Sequence, residues 1–142
     1  MSVLLDAYAL IAVLRGEPAA EELRPVLEAN DAEIHPLNLA EVLDRMVRLA
    51  GADADEIEAD VAVLGVRTAV VKAADLVDAG RWRGRHYHRS GRPVSLADCV
   101  AAVAAARGGM PLATSDPACA VMVREEGGTV LALPDSTGKR PE

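Results

Sequence analysis

Five short apolar runs alternate with helical segments along this chain, and that alternation limits the fold more than any other feature. The runs are Val3–Leu5, Glu33–His35 (closed by Pro36), the β-branched Val66–Val71, Pro111–Thr114 and Thr129–Leu133. Between them lie candidate helices at 7–14, 19–29, 37–50, 53–64, 72–79, 95–107 and 117–126, several stopped by glycine. Strands separated by helices cannot pair as hairpins. They predict an α/β fold with a central, largely parallel sheet of four to five strands and helices on both sides. A chain of 142 residues accommodates one such domain, and a 51% hydrophobic composition supplies its core without disulfides. Phe is absent and much of the apolar content is Ala and Val, so the interior depends on close approach of small side chains.

No apolar stretch approaches the roughly 20 residues of a membrane span, and no basic region precedes the first apolar run. A cytoplasmic location is expected. Cys99 and Cys119 lie in apolar helical patterns without metal-ligand spacing and read as reduced core residues. A formal net charge of -7 argues against a protein that coats nucleic acid through its global charge, but not against an enzyme with an acidic site.

Four acids stand where chemistry is expected. In open parallel sheets ligands bind beyond the carboxyl ends of the strands. Asp6 ends the first run, Asp116 follows the fourth, Asp98 lies in the first turn of the helix from Ser95, and Glu41 lies near the start of the helix from Leu37. Carboxylates gathered there repel one another unless a cation lies between them, and hard Mg²⁺ or Mn²⁺ prefers oxygen ligands. Each acid also has a plain structural reading. Asp6 and Asp116 suit N-caps, the latter with Pro117 at N1. Ser95-Leu96-Ala97-Asp98 matches a capping box. Glu41 lies opposite the apolar face formed by Leu39, Val42, Leu43, Met46, Val47 and Ala50, four residues before Arg45, as half of a surface pair.

The segments Val3-Leu4-Leu5-Asp6-Ala7, Asn38-Leu39-Ala40-Glu41-Val42, Ser95-Leu96-Ala97-Asp98-Cys99 and Thr114-Ser115-Asp116 occur in an order and spacing that resemble the PIN-domain family, closest to VapC-type toxins of toxin–antitoxin pairs. The resemblance runs from Ser2 to about Leu133, which makes residues 1–133 the expected PIN domain and 134–142 a polar, mobile tail. It implies a PIN-like three-layer fold and a metal-dependent endoribonuclease using Mg²⁺ or Mn²⁺. Asp6 and Asp98 would be the direct ligands, Glu41 and Asp116 would complete the shell, and Thr114 would support the site. It further implies an RNA substrate, a homodimer and an antitoxin partner, with the helices near 7–30 and 37–65 as candidate partner surfaces. One position departs from the pattern: Tyr8 stands where the family usually carries Ser or Thr.

Arg81, Arg83, Arg85, Arg89 and Arg92 crowd residues 80–93 together with Trp82, Tyr87, His86 and His88. Guanidinium groups grip phosphates and aromatic rings stack on unpaired bases, so Arg81, Arg83 and Arg85 are candidate RNA-binding residues. The same stretch also reads as a solvated helix end whose arginines pair with acids. No covalent nucleophile is apparent, because neither cysteine has a nearby His in sequence and no G-x-S-x-G elbow exists. Two rivals remain. A phospho-receiver domain would need paired acids after the first strand and an Asp after the third, whereas Ala7-Tyr8 and Lys72 stand there. A non-catalytic PIN-like binding module would share every feature except turnover.

Overall fold

The computed structural model describes residues 1–142. Five strands form one sheet: β1 (Val3–Leu5), β2 (Ala32–Ile34), β3 (Arg67–Thr68), β4 (Leu112–Thr114) and β5 (Val130–Ala132). Every neighbouring pair is parallel, in the order β3-β2-β1-β4-β5. Seven helices connect them: α1 (Ala7–Arg15), α2 (Ala19–Glu28), α3 (Pro36–Ala50), α4 (Ala54–Leu64), α5 (Ala73–His86), α6 (Leu96–Arg107) and α7 (Pro117–Glu125).

Alternation along β1 assigns the layers. Leu5 faces a core shared with α1, α2, α3 and α4, through residues such as Leu10, Leu23, Val42 and Ile57. Leu4 faces the opposite core, built from α5, α6 and α7 through Ala79, Val100, Val103 and Met122. The chain leaves β1 in one direction to β2 and β3, then returns to place β4 on the other side of β1. Asp6 and Asp116 follow the two strands that flank this reversal, which is where an open α/β sheet opens a crevice.

α6 is the most enclosed element. Cys99 to Ala105 are all buried, because short Ala and Val side chains let the sheet, α5 and α7 approach it. Burial pushes the Cys99 thiol up to about 11 and raises that of Cys119 still more clearly, so both remain protonated core groups. No helix is long and apolar enough to cross a membrane.

Four expectations need correction. Val66–Val71 contributes a strand only at Arg67–Thr68, because β2 offers partners only at Glu33 and Ile34, and Val70 and Val71 lie exposed beyond the edge. β2 stops at Ile34, and the His35 ring instead caps α3, its Nδ1 accepting from Leu37 N–H at 3.0 Å. The helix from residue 73 runs through Gly80 and Gly84 to His86, held on one side by buried Ala79. Finally, the segment after β5 is docked: Arg140 pairs with Glu22 and donates to the Ala132 carbonyl, and Pro141 is buried.

Candidate active site

Three of the four acids reach the carboxyl edge of the sheet by capping helices. The Asp6 carboxylate accepts from Ala9 N–H at 2.7 Å and caps α1. Asp116 accepts from Ala118 N–H at 2.9 Å and caps α7. Asp98 and Ser95 form the expected capping box, at 2.9 Å and 3.0 Å, around the start of α6. Capping and chemistry are compatible here. Asp98 and Asp116 each spend one carboxylate oxygen on backbone donors and keep the other free.

Glu41 arrives differently, from the second turn of α3. The sequence periodicity places it on a solvent face, yet its side chain is only 26% exposed. It lines the same hollow, of about 200 Å³, as Asp6, Asp98 and Asp116. The tie that brings it there is Asn38, which is 1% exposed and donates from Nδ2 to the Ala97 carbonyl at 3.3 Å. Asn38 thus docks the start of α3 on the start of α6, one residue from Asp98. Val47 and Ala50, counted on the apolar face of α3, are exposed because only the last turn of that helix, after buried Met46, runs clear of the core.

Asp6 is 3% exposed. Desolvation pushes its carboxyl up to about 7, hydrogen bonds from Thr114 and Ala9 pull it back, and the charges of Asp98 and Asp116 push it further. Burial likewise raises Asp98, with Asp116 adding to the shift, and raises Glu41 against the pull of Arg45. Thr114, fully buried at the end of β4, lies between two of these acids: its hydroxyl lowers the Asp6 carboxyl and accepts from Asp116 N–H at 3.1 Å.

Arg45 and Tyr8 complete the hollow. Arg45 stands 3.5 Å from Glu41 and donates to the Tyr8 hydroxyl at 3.1 Å, its guanidinium 5.0 Å from the centre of the Tyr8 ring. The sequence reading found Arg45 only as a surface partner. Its i,i+4 spacing from Glu41 was the available signal. Tyr8 makes its polar contact with Arg45, and the hydroxyl beside Asp6 comes from Thr114 instead.

None of the arginines of the basic stretch lines the acid hollow. Arg81 pairs with Asp78 at 2.9 Å, Arg85 with Glu126 at 2.5 Å, and Arg92 with Glu125 at 2.7 Å. Arg83 donates to the Val94 carbonyl at 3.0 Å and stacks over Tyr87. The acid-pairing reading therefore describes Arg81 and Arg85. Arg83 alone faces a hollow that reaches Leu96 at the start of α6.

The donor set is suited to a hard cation, because it consists of carboxylate and hydroxyl oxygens around an uncompensated buried acid. No three His, Cys, Asp or Glu side chains close on a single point.

Asn38→Ala is expected to cost about 1 kcal/mol of stability, the worth of one hydrogen bond. If Glu41 acts with Asp98, it should also lower turnover by about 10- to 100-fold, the usual cost of disturbing an outer-shell support. Thermal melts and initial rates on one preparation would check both. Unchanged turnover would mean that Glu41 needs no fixed place beside Asp98.

A parallel five-stranded sheet that collects four carboxylates at its topological switch point defines an α/β protein with an oxygen-donor acidic site. A family model described as PIN domain matches residues 3–123, and the chain belongs to the PIN-domain family. Comparison with curated proteins by sequence finds no match. Among solved structures the fold is similar to VapC20 of Mycobacterium tuberculosis, described as a sarcin–ricin loop cleaving toxin. That match has 20% identity and a TM-score of 0.68 over 94% of this chain and 100% of the other. It is also similar to VapBC2 from Rickettsia felis, bound to a promoter DNA fragment, at 13% identity and a TM-score of 0.65 over 92% and 96%. A toxin–antitoxin complex from Klebsiella pneumoniae matches at 18% identity and a TM-score of 0.60 over 84% and 90%.

Proposed function

We propose that this protein is a metal-dependent endoribonuclease and the toxin of a type II toxin–antitoxin pair. The observation that carries this reading is the hollow shared by Asp6, Glu41, Asp98 and Asp116, with Asp6 buried and held near neutrality for want of a counter-charge. Family membership and the printed description of the mycobacterial relative support it.

Asp6 and Asp98 would hold Mg²⁺ or Mn²⁺, with Asp116 and Glu41 completing the shell or fixing its waters. A cation bound there supplies an acidified water and positive charge toward the phosphoryl oxygens. Hydrolysis forms a bond from water oxygen to phosphorus and breaks the bond from phosphorus to the leaving ribose oxygen. Thr114, buried beside Asp6, would help to hold that carboxylate in place. Arg45 is the one basic side chain at the hollow and would meet a non-bridging phosphate oxygen. A cytoplasmic homodimer bound by a small antitoxin completes the proposal. Leu49 and Val63 are exposed apolar side chains on α3 and α4, the helices expected to meet such partners.

The test is cleavage of a mixed RNA pool by protein stripped with a chelator, then supplied with Mg²⁺ or Mn²⁺. Cleavage is expected only after the cation is restored. Cleavage that persists in chelator rejects metal dependence. No cleavage with either cation, alongside tight RNA binding, favours the non-catalytic module.

A further inference from the structure

A second hollow, of about 320 Å³, adjoins the acid site and shares Tyr8 and Asp116 with it. Its size lies at the lower end of ligand pockets, roughly 300–1,000 Å³, which suits one ring system rather than an extended ligand. Ala9, Ala12, Ala19 and Leu133 give it an apolar floor of small side chains. Its polar groups are Glu17, Asp116, Asp135 and two serines, with no Lys, Arg or His among the lining residues. Such walls repel a phosphate and accept hydrogen bonds from a neutral, donor-bearing ring.

Glu17 is the acceptor left free. It sits in the turn between α1 and α2, half-buried, and unlike Glu21 and Glu22 it has no basic partner. Asp135, by contrast, is committed to its own loop, accepting from Thr137 N–H, the Thr137 hydroxyl and Lys139 N–H. Tyr8 is the aromatic wall common to both hollows, and its ring is fixed by the Arg45 guanidinium. A nucleotide whose phosphate lay at Arg45 would therefore have an aromatic face and an acceptor-lined recess beside it.

We infer that this hollow is a nucleobase subsite that selects guanine next to the scissile phosphate, Tyr8 supplying the stacking surface and Glu17 reading the base. Guanine presents two adjacent donors, N1–H and the N2 amino group, which match the two oxygens of one carboxylate. Uracil offers a single donor flanked by acceptors. Splayed single-stranded bases are recognised by stacking and by their Watson–Crick edges in this way. The place of the subsite in a reaction rests on the ribonuclease reading above, but its affinity for a base does not.

Two measurements separate the two readings. The first follows the methyl resonances of Ala12 and Ala19 in chelated protein during titration with guanosine or uridine. Guanosine is expected to shift them to saturation and uridine is not, and Glu17→Gln should weaken guanosine binding at least about tenfold, as loss of hydrogen bonds to a charged group does. The second maps cut sites in a randomised RNA pool. The wild type is expected to favour guanine at one position beside the cut, and Glu17→Gln to lose that preference while still cleaving. Guanosine binding without any RNA cleavage would support the subsite and reject the nuclease. Cleavage with an identical base profile in both proteins, and no guanosine shifts, would overturn the subsite alone. Shifts produced by an arginine-containing peptide but not by guanosine would also overturn it, and mark a peptide pocket instead.

Discussion

Asp98→Asn is expected to lower RNA cleavage by at least about 100-fold while leaving thermal stability at or above that of the wild type. The two effects separate because Asp98 holds two roles with different chemical requirements. As the third residue of α6 it accepts from Ser95 N–H, and an amide oxygen can do the same. As a member of the acid hollow it contributes charge, which the amide lacks. Outer-shell supports of metal sites are worth about 10- to 100-fold, so loss of a direct ligand should reach or exceed the upper figure. Stability should not fall, since burial and the Asp116 charge already disfavour the ionised form of Asp98. Asp98→Ala is the contrast: it loses the cap as well, at a cost of about 1 kcal/mol. Initial rates at saturating Mn²⁺ and paired thermal melts would check both variants. If Asp98→Asn cleaves like the wild type, the carboxylate is only a cap, and this assignment would be falsified.

That double role explains why part of the site was legible in the sequence. A parallel sheet places strand ends and helix starts on one edge, so residues that read as caps after apolar runs are already the residues of the crevice. Asp6, Asp98 and Asp116 were accessible by that reasoning. Glu41 was not, because periodicity reports only which face of its own helix a residue occupies. Its entry into the hollow depends on the Asn38–Ala97 hydrogen bond, which spans 59 residues. The surroundings of the arginines in residues 80–93 are hidden for the same reason. The partners of Arg83, Arg85 and Arg92 are the Val94 carbonyl, Glu126 and Glu125, all distant in sequence from the arginine they meet, and local composition cannot show which group each one meets. Gly80 reads as the end of α5 in sequence because glycine usually costs about 1 kcal/mol in a helix, a penalty offset here by burial of Ala79 and packing against α6.

In metal-free protein, thermal stability is expected to fall as pH rises from about 4 to about 7, and Asp6→Asn to remove much of that fall. The sign follows from the direction of the shift. Burial pushes the Asp6 carboxyl up to about 7 in the folded chain, against the ordinary 3.8 of a free aspartate. Below 3.8 both states hold the proton and the site costs nothing. Between the two values the unfolded chain has released the proton that the folded chain keeps, so each step upward favours unfolding, and the cost levels off above about 7. The difference between those two values corresponds to roughly 4 kcal/mol as a ceiling. Asp98 and Glu41, also raised, add in the same direction. The exposed, paired acids Glu22 and Glu125 are lowered, so their loss of stability falls at acidic pH and cannot imitate this trend. Asparagine keeps the cap on Ala9 N–H without the charge. A divalent cation should reverse the slope, because it binds the deprotonated site. At a hundredfold excess over its dissociation constant it adds about 2.7 kcal/mol, and its apparent affinity rises as protons leave the carboxylates. Melts at four pH values with chelator, then with Mn²⁺, would show the curves diverging with pH for the wild type and nearly parallel for Asp6→Asn. A flat metal-free profile in the wild type would mean that Asp6 has a counter-charge already, and that no cation is needed to occupy the hollow.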